Sequence, residues 1–252
     1  RITTFNNPNI TWETTRISDL GIDLNFLNSK INVTIDYFDK YTDNILSSVQ
    51  VTRILGRNVG QSNVGAVSNK GIEFQLEYNT SIGHDIRFKI APNFTYVKNT
   101  VEKLANDALT DINNNRIVGE PIGIIYGYMT NGLFVNQDEI NSAPNQLIEK
   151  IGLKPGYIRY EDINGPKGVP DGVVDANYDR KVIGCSTPKF YYGLNISAAL
   201  KRFDFSAILQ GLGGYQRLIG SYMAYAFYNG GQIQRWQVNS RWTNENPNKW
   251  AK

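Results

Sequence analysis

From Gly71 to Val97 the chain places apolar residues at every second position. Ile72, Phe74, Leu76 and Tyr78 alternate with Glu73, Gln75, Glu77 and Asn79, which is the period of a strand with one dry and one wetted face. A helix would need apolar positions three and four apart. After a turn at Thr80 to His84, Ile86, Phe88, Ile90, Pro92, Phe94 and Tyr96 repeat the pattern against Arg87, Lys89, Asn93 and Thr95. The two runs predict an antiparallel hairpin about ten residues deep on each side. Ten residues at ~3.3 Å each, tilted, cross an apolar band of ~25 Å.

Two further hairpins have the same form. Leu20, Ile22, Leu24 and Phe26 lead through Leu27-Asn28-Ser29 to Ile31, Val33, Ile35 and Tyr37. Leu194, Ile196, Ala198 and Leu200 lead through Lys201-Arg202 to Phe203, Phe205, Ala207 and Leu209. Short connections (27–29, 80–84, 201–202) therefore alternate with long ones (42–70, 98–190). Outer-membrane barrels show this asymmetry between short periplasmic turns and long external loops.

Within the long connections, Val49 to Leu55 is expected to prolong strand pairing. Short strands are expected at Ile124 to Met129 and Leu133 to Val135, and a turn at Asn113-Asn114-Asn115. Aromatic residues gather at the long-loop ends of the strands: Tyr37, Phe38 and Tyr41; Phe94 and Tyr96; Tyr191 and Tyr192. An interfacial girdle accounts for them, and so does aromatic packing within any β core.

Composition narrows the picture only in places. Over 252 residues, 41% hydrophobic content suffices for one large all-β domain or two small ones. The net charge of +3 is spread among interspersed acids and bases, so no nucleic-acid partner is expected. The one cysteine, Cys185, excludes an intrachain disulfide framework and reads as a small semi-buried residue. No run is apolar enough for a membrane helix, which leaves a barrel open because barrel strands alternate. The chain opens at Arg1 without a signal peptide and is read as an interior segment of something longer.

Catalytic chemistry is sparse, and no enzymatic activity is expected. His84, the sole histidine, reads as a solvated turn residue. Glu73 and Glu77 share a strand face, but four residues at ~3.3 Å set them ~13 Å apart, wider than a glycosidase pair. Asp162, Asn164, Asp171 and Asp175, with Asp179 behind them, alternate around glycine turns as Ca²⁺ ligands do. Pro166 stands where a third alternating ligand belongs, so an Asx-rich structural turn competes with a Ca²⁺ loop; no other cofactor is expected.

If the polar parity lines a lumen, it presents Asp23, Asn25, Asn32, Thr34, Asp36, Glu73, Gln75, Glu77, Arg87, Lys89 and Asn93. Mixed signs and many amides suit an uncharged polar ligand, although the same residues also make an ordinary solvated face.

Several segments resemble, in order, the SusC/RagA-type TonB-dependent outer-membrane transporters of Bacteroidetes. They are Asn7-Pro8-Asn9-Ile10-Thr11-Trp12-Glu13, Asp36-Tyr37-Phe38-Asp39-Lys40, Asn69-Lys70-Gly71-Ile72-Glu73 and Gly119-Glu120-Pro121 with Tyr126-Gly127-Tyr128. Asp162-Ile163-Asn164-Gly165, Pro188-Lys189-Phe190, Tyr192-Gly193-Leu194 and Arg241-Trp242-Thr243 with Glu245-Asn246-Pro247 follow.

The resemblance implies an all-β fold: an antiparallel transmembrane β-barrel, of which residues 1–252 form part of a single barrel domain of about 22 strands with long external loops. The plug and the TonB-contacting segment would lie outside this chain. It further implies TonB-dependent import of a nutrient, an oligosaccharide or alternatively a peptide, across the bacterial outer membrane. Implied partners are a SusD-like surface lipoprotein, TonB through the N-terminal region, and outer-membrane lipid. Connections 42–70 and 98–190 would meet the lid or substrate. A passive or structural barrel, or a soluble extracellular glycan-binding β-sandwich, would share the alternation.

Overall fold

The computed structural model describes residues 4–5, 7–48, 58–83, 85–149 and 152–251. Two compact units divide the chain, Arg1–Ile124 with Cys185–Gln216 and Ile125–Gly184 with Arg217–Lys252. Strands β1 (Thr14–Phe26), β2 (Ile31–Ser48), β3 (Gln61–Ile82), β4 (Ile86–Lys103), β5 (Phe190–Leu200) and β6 (Phe203–Gly213) form one sheet in the first unit. Sheet order follows chain order, and every pair is antiparallel.

The register aligns the alternating residues of all six strands. One row runs Ile22, Ile35, Phe74, Phe94, Tyr192; the next but one runs Phe26, Ile31, Tyr78, Ile90, Ile196, Ala207. This dry face is open: Ile22 is 53% exposed, Ile72 48%, Phe205 60% and Leu209 55%. None of Phe74, Leu76, Phe88 and Ile90 is buried. A β-sandwich would cover that face with a second sheet, and the soluble sandwich is therefore set aside. The fully buried apolar residues of this unit are instead few and mostly small, such as Ala66, Ala91 and Val101.

The strands outrun their sequence signal. The expected loop 42–70 is largely strand: β2 continues to Ser48 and β3 begins at Gln61, with bulges around Ile45 and Gly65. Pairing persists there with polar and small residues on both faces and with bulges that shift the register, so no alternation marks the strand. Val49 to Leu55 lies outside the described residues. The excursion 98–190 likewise begins only after Lys103. The strand expected at Ile124 to Met129 is Ile124–Tyr128, and the one expected at Leu133 to Val135 lies earlier, at Thr130–Leu133. Unforeseen strands occur at Ile158–Tyr160 and Arg180–Cys185, and Ile112–Asn114 turns as expected.

The girdle also needs correction. Tyr37, Tyr96 and Phe190 form an outward row, but Phe38 and Tyr191 have the opposite parity and face the wet side. Adjacent residues on a strand cannot share a face. Phe38 lies over buried Gly71, where an added Cβ would sit 2.5 Å from Cζ of the ring and closer still to the Tyr96 carbonyl oxygen. Gly71→Ala is expected to destabilise the barrel by about 1–3 kcal/mol through overpacking, with partial recovery in a Phe38→Leu background, read from thermal unfolding in detergent.

Candidate functional site: the wet face and the Asp loop

All eleven residues expected on the polar parity do share one face. Asp23, Thr34, Gln75 and Asn93 form a single cross-strand row that continues through Gly193 to Gln210; Asp36 stands opposite Glu73, and Asn25 opposite Asn32. Thr34 donates to Asp23 at 2.7 Å, and Glu77 takes an ion pair from Lys89 at 2.5 Å and a hydrogen bond from Asn79 at 2.6 Å. Near the short turns a cavity of ≈ 650 Å³ is lined by Asn79, Ser81, Arg87, Lys89, Ser197 and Asp204, among others. Acids and bases thus occur together, with amides between them, so the wall carries no single-sign field. His84 lies outside the described residues.

Above the dry band the first unit is stapled by asparagine side chains, of which Asn63 and Asn99 carry no sequence signal of their own. Asn63 donates to the carbonyls of Thr11 and Asn44 and accepts from Thr11 N–H at 2.9 Å, while Asn7 donates to the Gln61 carbonyl at 3.0 Å. The Asn7-Pro8 segment is thereby fastened along β3. Asn99 donates to Asn69 and accepts from Ile122 N–H, and Val101 N–H donates to the Glu120 carbonyl, which seats Gly119-Glu120-Pro121 against β4. Cys185 is buried, with its Sγ 3.5 Å from the Ile122 carbonyl oxygen.

In the second unit the Asp loop uses its carboxylates on its own backbone. Asp162 accepts from Gly172 N–H at 2.6 Å, Asp171 from Val173 N–H at 3.0 Å, and Asp175 from Asn177 and Tyr178 N–H. Asp179, fully buried, accepts from Ile163 at 2.8 Å, Asn164 at 3.2 Å and Asp175 at 2.8 Å. Asp171 and Asp175 thus make Asx turns, while Asp162 and Asp179 tie together backbone segments ten to sixteen residues apart. Asn164 enters through its backbone N–H, and Asp175 turns onto its own residues, so the four candidate ligands do not converge. Among the described residues no group of three or more His, Cys, Asp or Glu is placed to hold a metal ion.

Nearby, the rings of Tyr128 and Tyr160 lie 5.3 Å apart, and burial raises both phenols above the ordinary tyrosine range. Neutral phenols are favoured in the folded unit. Their contribution is full below the unfolded value near 10 and is lost as pH rises through the raised folded values. Protease resistance of this unit is expected to fall above about pH 10, and less steeply in Tyr160→Phe.

An antiparallel meander with one continuous dry face, one wet face and short turns at only one end is the wall of a membrane β-barrel. The chain belongs to the family described as TonB dependent receptor-like, beta-barrel, whose model matches residues 1–251. Its home is the bacterial outer membrane.

The chain is 28% identical over 251 residues to TonB-dependent receptor P26 of Formosa agariphila, covering 96% of this chain and 24% of the relative. It is 27% identical over 218 residues to TonB-dependent receptor SusC of Bacteroides thetaiotaomicron, covering 81% and 20%. It spans a quarter or less of the length of these curated relatives. A solved structure of the RagAB peptide transporter superposes with a TM-score of 0.74 at 19% identity, over 100% of this chain and 27% of that one. The open-open state of the RagAB peptide importer gives 0.76 at 18%, over 100% and 26%.

Proposed function

We propose that the full protein is a TonB-dependent importer of oligosaccharides, and that this chain contributes barrel wall and external loops within one barrel domain. The observation that carries the reading is the wet face: amides and charges of both signs in register on six strands, suited to many weak hydrogen bonds with an uncharged polyhydroxyl ligand. The plug and the TonB-contacting segment belong to other parts of the protein, a SusD-like lipoprotein forms the lid, and TonB supplies the pull. The excursion after Lys103 contributes contacts to the lid or substrate. Neither the loop carboxylates nor import requires bound Ca²⁺.

Peptide is the second reading, favoured by the RagAB peptide transporter, whose fold this chain shares. The test deletes the gene in its host and measures uptake of labelled oligosaccharide and peptide pools, with and without TonB. Loss of oligosaccharide uptake in both the deletion and the TonB-deficient strain is the expected result. Loss of peptide uptake alone would overturn the substrate class, and TonB-independent uptake would indicate a passive barrel.

A further inference from the structure

The outward face changes chemistry just past the apolar band. One row beyond Tyr37, Ile72 and Tyr96, the register aligns Ser18, Asp39, Lys70 and Lys98 across β1 to β4. Their parity is that of the dry residues, so they face the same side. Lys70 bridges to Asp39 at 2.8 Å. Lys98 is exposed, stands directly opposite Lys70, and has no ion pair among the described residues.

Like charges directly opposed on neighbouring strands destabilise the pair unless a counter-charge joins them. The flanking row adds another cation and several hydroxyls: Arg16 lies over the Tyr41 ring at 5.2 Å, in register with Ser68 and Thr100. The nearby carboxylate of Glu102 is engaged by the Ser68 hydroxyl.

Depth identifies the occupant. Two residues at ~3.3 Å on a strand tilted ~40° put the lysines about 5 Å past the last apolar row, where hydrocarbon gives way to headgroups. The long connections leave from this end of the sheet, which is the external end of such barrels. Lys70 and Lys98 lie on strands flanked by neighbours on both sides, so their exposure is not an edge effect.

We propose that Lys70 and Lys98 bind the phosphate of an outer-leaflet lipid headgroup, which competes with Asp39 for the Lys70 ammonium group. The site continues the lipid-facing surface upward, and the phosphate gives Lys98 the counter-charge that Asp39 gives only to Lys70. It depends on the barrel's place in the membrane and not on its cargo.

The test uses the full-length receptor purified in detergent and titrated, by native mass spectrometry, with a phosphorylated lipid A and with the same glycolipid after phosphatase treatment. Wild type should prefer the phosphorylated form. Lys70→Gln with Lys98→Gln should weaken that binding by about 10- to 30-fold, at roughly fivefold per lysine, and leave the dephosphorylated form unchanged. Asp39→Asn should tighten phosphorylated-lipid binding, a result that a merely structural role for these residues does not produce. Equal binding of both glycolipids, unaltered binding in the double variant, or weaker binding in Asp39→Asn would each overturn the proposal, as would displacement of the lipid by a soluble acidic peptide at equal concentration.

Discussion

Leu76→Arg will cost the barrel about 2–4 kcal/mol and sharply reduce the folded protein in the membrane, while Gln75→Arg at the adjoining position will be tolerated. Leu76 is paired with Val33 in the middle of the dry face, so an arginine there meets hydrocarbon. Gln75 pairs with Thr34 and Asn93 on the other face, where water and polar side chains receive the charge. The two positions differ by a single step along one strand, a contrast that the two faces of a strand produce and a helix does not. Heat-modifiable mobility on gels of outer-membrane fractions reads the folded fraction directly. Equal tolerance at both positions would contradict the assignment of faces.

The second large effect is expected at Asp179. Replacing it with alanine removes the acceptor for three backbone N–H groups in a fully buried position. Unsatisfied buried donors, together with the lost charge-assisted bonds, cost about 3–5 kcal/mol. Limited proteolysis should then cut within 161–180 in Asp179→Ala, with Asp179→Asn intermediate and barrel assembly unchanged. Adding calcium or a chelator should leave the wild-type digestion pattern as it is. A chelator that reproduces the alanine pattern would show that the loop is held by metal instead.

Legibility followed the hydrophobic contrast. Ile72 to Tyr78 and Ile86 to Tyr96 could be read as strands because one of their faces is dry, and the register later joined them into continuous rows. Gln61 to Lys70 pair as well, through bulges, yet Ser62, Asn63, Ser68 and Asn69 put polar residues on both faces and leave no period to detect. Phe38 looked like its neighbour Tyr37, but strand alternation turns it inward, where it lies over its distant partner Gly71. The aspartates of the loop announced turns, but the role of Asp179 as the acceptor for Ile163 and Asn164, some sixteen positions back, is set by tertiary closure.

Because β3 begins eleven residues before Ile72 and pairs with β2, through bulges, up to Gln61, this two-stranded ribbon extends about 28 Å past the last apolar row. Ser62 and Asn63 on this ribbon therefore stand past the headgroup layer, where a bulky cargo meets them without first threading between crowded sugar chains.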